Sequence, residues 1–146
     1  MKNKIYIAMV SLVFSVTLQA QKQIDWDDLA EVTFSIKYIP SFGAEFLAPT
    51  FSDHVLSLDG QEVSIVGYFI NISPSENAYI LSKNPMATCF FCGAAGPETA
   101  IELQFDSPQS FKTDAVVSVT GTLKLNPDDV EHFNYIITDC KAQPMQ

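Results

Sequence analysis

Apolar and polar positions alternate with a period of two along most of this chain. Over residues 31–38 Val32, Phe34, Ile36 and Tyr38 fall on one side and Thr33, Ser35 and Lys37 on the other, the mark of a half-buried strand that Pro40 then ends. Residues 41–53 carry Phe42, Phe46, Pro49 and Phe51 and predict an irregular segment that wraps over the core and buries its rings. Residues 63–72 form a long strand, with Val63, Ile65, Gly67 and Phe69 facing one way and Val66, Tyr68, Ile70 and Ile72 the other. Both faces are apolar over part of it, which makes it central. A shorter strand is predicted over 78–82, another over 99–105, a second long one over 115–125, and a last one over 132–140.

The connections carry their own signals. Asp59-Gly60 marks a turn, Ser73-Pro74-Ser75-Glu76-Asn77 another, and Asn84-Pro85 opens a loop that holds two cysteines. Asp25 is placed to cap a short helical turn whose Trp26 and Leu29 dock on the body. Asn126-Pro127-Asp128-Asp129 reads as a second helix start, with proline at the first helical position and acids in the first turn. Each long strand has a glycine in mid-course, and Val-Ser-Ile-Val-Gly-Tyr-Phe at 63–69 is echoed by Val-Ser-Val-Thr-Gly-Thr-Leu at 117–123. A single such pair is no repeat array. It predicts two strands bent or bulged at Gly67 and Gly121.

Five strands with short connections, the first and fourth long and glycine-bent, predict an all-β protein: a small five-stranded OB-like Greek-key barrel with an N-terminal strand or loop extension. A small β-sandwich is the rival. The domain reading is a signal peptide at 1–20, an extension at 21–58 that packs on the barrel, and the barrel at 59–146. The signal peptide follows from Lys2 and Lys4, the apolar run over 5–18 and the small-residue cut at Leu18-Gln19-Ala20. The run is too short for a spanning helix, which needs about 20 apolar residues. An exported, periplasmic protein is expected, one that does not span the membrane after cleavage.

Charge narrows the partners. The 146 residues carry a formal net charge of −9, and there is no arginine. Nucleic-acid affinity rests on cations that displace counterions from phosphate, so nucleic acid is disfavoured. An acidic surface suits solubility or a cationic partner such as a metal ion. No phosphate loop, Ser-His-Asp set or framed carboxylate pair is present, which leaves enzymatic activity without a carrier.

The candidate chemistry sits in Ala87-Thr88-Cys89-Phe90-Phe91-Cys92-Gly93, with a third cysteine at Cys140. Three thiols in an oxidising compartment cannot all pair within one chain. Three readings compete. Cys89 and Cys92 aim two sulfurs at one metal ion, Zn(II) or Cu(I), with Cys140 and His132 as further ligands and His54 as a candidate. On a regular strand, however, His132 and Cys140 stand roughly 26 Å apart. Alternatively Cys89 and Cys92 are a redox pair, although Gly93-Ala94-Ala95-Gly96-Pro97 is too turn-prone for the helix N-terminus that such pairs use. In the third reading one of the pair bonds Cys140 as a structural bridge and the other is merely buried. Phe90 and Phe91 are expected to pack rather than to stack a ligand.

The strand Val63-Ser-Ile-Val-Gly67-Tyr-Phe, the segment Tyr79-Ile-Leu-Ser leading into the cysteine loop, and Val117-Ser-Val-Thr-Gly121-Thr-Leu with Tyr135-Ile-Ile-Thr-Asp-Cys140 together resemble a family of small exported bacterial proteins of unknown function with an OB-like fold. The resemblance spans about residues 55–141. It implies the barrel, and it implies an envelope setting beside transporters thought to handle metals. Members often have a cysteine, a hydrophobic residue, a histidine and then a proline run at the loop, whereas Phe90-Phe91-Cys92-Gly93 stands here. The expected function is therefore a non-catalytic exported binding protein that holds or delivers a transition metal. The alternative is a disulfide-stabilised interaction module that uses its aromatic N-terminal segment or barrel face on an envelope transport protein or another periplasmic partner.

Overall fold

The computed structural model describes residues 21–73, 75–90, 93 and 95–145. Residues 1–20, read from the sequence as a signal peptide, and Phe91 and Cys92 of the cysteine loop lie outside the described residues. Ten elements follow in order: β1 (Lys22–Gln23), α1 (Trp26–Leu29), β2 (Val32–Ile39), β3 (Ala44–Phe51), α2 (Asp53–Leu56), β4 (Glu62–Ser73), β5 (Ala78–Ser82), β6 (Ala100–Leu103), β7 (Ala115–Leu125) and β8 (Tyr135–Pro144).

Strands β4 to β8 close a barrel in the order β4-β5-β6-β8-β7, with β7 returning to β4. All neighbours are antiparallel except β6 and β8, which run parallel with Glu102 opposite Ile136. This is the Greek-key order of an OB barrel. The short β1 lies parallel on β4, with Lys22 opposite Val63, and Asp25 caps α1 by accepting from the Asp27 and Asp28 amides. Alternate residues of the five strands fill the interior. Phe69, Leu81, Ile101, Val119 and Ile137 are all 0% exposed, and Phe69 stacks between Tyr79 and Phe111. Close-packed apolar burial of this kind is the main favourable term in folding.

The two strand glycines have different duties. At Gly67 a Cβ would fall 2.8 Å from the Ser82 carbonyl oxygen and 2.9 Å from the Trp26 ring. The indole crosses β4 there and donates its Nε1–H to the Val66 carbonyl at 2.8 Å. Gly67 is thus a seat for Trp26, and the pairing with β7 runs through it without the bulge that is one reading of its position. At Gly121 the register with β8 does shift, since Thr120 faces Lys141 while Thr122 faces Thr138. The extra residue belongs to β8, and Asp139 takes a φ of 54°. The bulge predicted for β7 is carried by its partner.

The aromatic segment after Pro40 departs from expectation. It forms β3, paired antiparallel with β2 from Val32 opposite Phe51 to Ile39 opposite Ala44 in a separate two-stranded sheet. Only the base of this hairpin is covered: Ala48 and Pro49 are buried and Phe51 packs on Tyr135. Toward its tip Ile36, Tyr38 and Leu47 are 69%, 62% and 54% exposed. The irregular reading failed because apolar residues occupy both faces of 44–51, which blurs the alternation, while eight successive residues of β2 offer a complete pairing partner.

Two further elements are corrected. Residues 126–129 start no helix, and β8 begins at Tyr135, so His132 belongs to the preceding loop. The strand predicted over 99–105 is paired only as Ala100–Leu103, with a 3₁₀ turn at Pro97–Thr99 before it. Among the described residues no helix is long and apolar enough to cross a membrane.

Candidate functional site

Strand alternation separates the cysteines. On β4, β5 and β6 the side chains of Phe69, Leu81 and Ile101 point into the barrel with Cys140, whereas Ile70, Ile80 and Ala100 point outward and pack with Cys89. The sheet thus stands between Cys89 and Cys140, and both are free thiols. The bridge between these two, and the set of ligands that included both, are not brought together. Cys140 donates its thiol to the Ile137 carbonyl at 3.0 Å, and burial pushes its pKa up to about 12. A thiol held protonated is a poor nucleophile at neutral pH. Cys89 is 1% exposed beneath the connection that contains it. Among the described residues no group of three or more His, Cys, Asp or Glu side chains is placed to hold a metal.

Cys89 and Phe90, from the connection between β5 and β6, lie over the outer face of those strands, where Phe133 packs with them. In OB barrels this face and the loops flanking it are where ligands are taken. Here those loops are residues 74–77 and residues 126–134.

Asn126 shapes the second loop. Its side-chain oxygen accepts from the Asp128 and Asp129 amides at 3.4 and 2.9 Å, and its nitrogen donates to the carbonyls of Asp129, His132 and Phe133 at 2.7 to 3.2 Å. The capping chemistry read at this position is real, but it closes an Asx-type turn instead of starting a helix. The loop is then pinned to β6, because Glu102 accepts from His132 Nδ1 at 2.9 Å and from the Phe133 amide at 3.3 Å. His54, the other histidine, pairs instead with Asp28 at 3.1 Å and ties α2 to α1.

His132 has its pKa raised, first by the hydrogen bond to Glu102, then by that carboxylate's charge, and further by Asp129 and Glu131, with desolvation opposing. A raised folded-state pKa favours the imidazolium in the native state. Its stabilising contribution is full below the unfolded value of 6.5 and is lost as pH rises through the folded value. An NMR titration of His132 is expected to give a midpoint above 6.5, and Glu102→Gln is expected to lower it. A midpoint at or below 6.5 in the native protein would contradict the pairing.

Between these parts lies a cavity of about 420 Å³. The hairpin contributes Ile39, Phe46, Leu47 and Ala48, the cysteine connection Phe90 and Pro97, and residues 127–134 the remaining wall. A second cavity of about 470 Å³ lies between residues 72–80, residues 102–105 and residues 131–133. Glu131, His132 and Phe133 line both, so this strip is their common wall. Of the predicted site residues that are described, only His132 lines either cavity. Reading residues singly passed over the hairpin side chains Phe46 and Leu47, Asn126 and Glu102. The alternation of Glu102 against Ile101 and Leu103 does mark it as outward-facing.

No protein-family profile matches the chain, and no curated protein matches it in sequence. Among solved structures it is similar to a DUF3299-family protein of Pseudomonas aeruginosa PAO1, with a TM-score of 0.57 and 16% identity over 87% of this chain and 97% of that one. At that identity the likeness is one of fold. It agrees with the OB-like barrel of a domain of unknown function.

Proposed function

We propose that this protein is a non-catalytic, exported binding module that takes a small apolar ligand into the cleft between the β2–β3 hairpin and the β7–β8 loop. The observation that carries this reading is the 420 Å³ cavity, which three separate chain segments wall mainly with apolar side chains. Its size lies within the range of small-molecule sites, and its few polar groups gather on one segment. Export rests on the N-terminal sequence pattern at 1–20. The holding of Zn(II) or Cu(I) through Cys89 and Cys92 rests on the Cys-x-x-Cys spacing alone, with Cys140 inside the barrel and His132 engaged by Glu102. The cleft is therefore the better-supported site.

The neutral dye Nile red is expected to bind the protein with blue-shifted, enhanced emission. Val130→Trp, which fills the cleft from the partly exposed face of the loop, is expected to weaken that binding at least about tenfold (about 1.4 kcal/mol). Unaltered binding by the folded variant would place the dye elsewhere and overturn the reading.

A further inference from the structure

Resting on that cleft as the binding site, we infer that its ligand is a small amphipathic cation, an apolar body that carries an ammonium group. The apolar part is set by Phe46 and Leu47 on one wall and by Phe90 and Phe133 on the others. The charge is set by what surrounds them. Asp128, Asp129 and Glu131 line the cleft, Glu76 and Glu102 line the neighbouring cavity beyond the shared wall, and no lysine lines either.

These loop acids are not neutralised from within. Among the described residues the ion pairs are His54 with Asp28, Lys83 with Asp27 and His132 with Glu102. None reaches Asp128, Asp129 or Glu131. The single basic group on the cleft wall, His132, is engaged by the second cavity's Glu102, and its proton affinity is raised further by Asp129 and Glu131. The field of the loop is therefore negative where a ligand would meet it. The chain as a whole, at −9 with no arginine, has little to offset it. An anion of the same shape would meet exposed carboxylates, with His132, already engaged by Glu102, as the one basic group on the wall among the described residues. A neutral ligand would use the apolar walls alone.

The loop architecture suits this task. Asn126 fixes the backbone of residues 128–133 with its own amide, so the carboxylates are presented by an ordered turn without having to hold it themselves, except for Asp129, which accepts from the Glu131 amide at 3.0 Å. With the backbone already ordered, meeting a cation costs little further loop ordering.

The test compares three ligands of equal chain length at low salt by calorimetry: n-octylammonium, n-octanol and octanoate. Octylammonium is expected to bind at least about tenfold more tightly than octanoate, with octanol between them. The gap is expected to close in an Asp128→Asn, Glu131→Gln double variant, and to shrink in 1 M salt as screening shortens to about 3 Å. Octanoate binding as tightly as octylammonium, with octanol bound in the cleft, would overturn the cationic assignment and leave the binding module standing. Failure of all three to bind would remove both. Tight binding of a lysine-containing apolar peptide by a protein that ignores octylammonium would overturn the small-molecule assignment in favour of a polypeptide partner.

Discussion

Replacing Tyr135 with alanine is expected to destabilise the protein by about 3–5 kcal/mol, the range for removal of a large ring from a close-packed interior. Tyr135 is the first residue of β8 and is 0% exposed. Its ring packs against Phe51 at the base of the hairpin with centroids 5.6 Å apart, and its hydroxyl donates to the Leu29 carbonyl at the end of α1 at 2.7 Å. One side chain therefore joins the barrel, the hairpin and the N-terminal helical turn. Burial holds the phenol well above the usual tyrosine range, so it remains a donor at every working pH. Tyr135→Phe separates the two roles: it keeps the packing and leaves a buried carbonyl without its partner, at an expected cost of about 1–3 kcal/mol. Urea unfolding checks both variants. An alanine variant within about 1 kcal/mol of wild type would show that the hairpin and α1 are held by other contacts.

The second large effect is expected at Gly121. A Cβ there would press on the Thr138 carbonyl oxygen and stand 2.6 Å from Ile137 Cγ2. Neither can withdraw easily. Ile137 is buried and pairs with Leu103 on one side and Leu123 on the other, and Thr138 is fixed opposite Thr122 just before the bulge. Gly121→Ala is expected to cost about 1–3 kcal/mol, and Gly121→Val more, because overpacking at a backbone contact forces the strands apart. Against a total of about 5–15 kcal/mol for a domain of this size, the valine variant should lose a large share of its stability and melt well below wild type. Thermal melts and soluble yield give the answer. A valine variant that melts within a few degrees of wild type would mean that β8 relaxes around the bulge.

The barrel was legible because its signal is local and repeated. Residues 117–123 alternate cleanly and residues 78–82 are a short apolar run between turn signals, and the observed strands keep the predicted bounds 78–82 and 115–125. The glycines marked the right strands, but their partners could not be read. Nothing near Gly67 in sequence announces that Trp26 will lie on it, and nothing near Gly121 says that the extra residue of the bulge sits at Asp139. Long-range partners of this kind are fixed by the closure of the sheet. The same limit governed the site. The cysteines drew attention because they are rare, yet Cys140 points inward from β8 while Cys89, in the connection after β5, packs on the outer face of the sheet. The cleft is built from hairpin, loop and connection residues thirty or more positions apart, each unremarkable where it stands. Asp128 and Asp129 read as the first turn of a helix, and no local rule shows that Asn126 would turn them beside Phe46 and Phe90.

Amide shift mapping by two-dimensional NMR, with octylammonium titrated into the protein, tests the cleft most directly. The largest shifts are expected at Phe46, Leu47, Phe90 and residues 128–134, while barrel amides such as Phe69 and Val119 remain still. Shifts confined to the outer hairpin residues Ile36 and Tyr38, or spread through the barrel strands with the loop unmoved, would contradict the assignment of this cleft as the binding site.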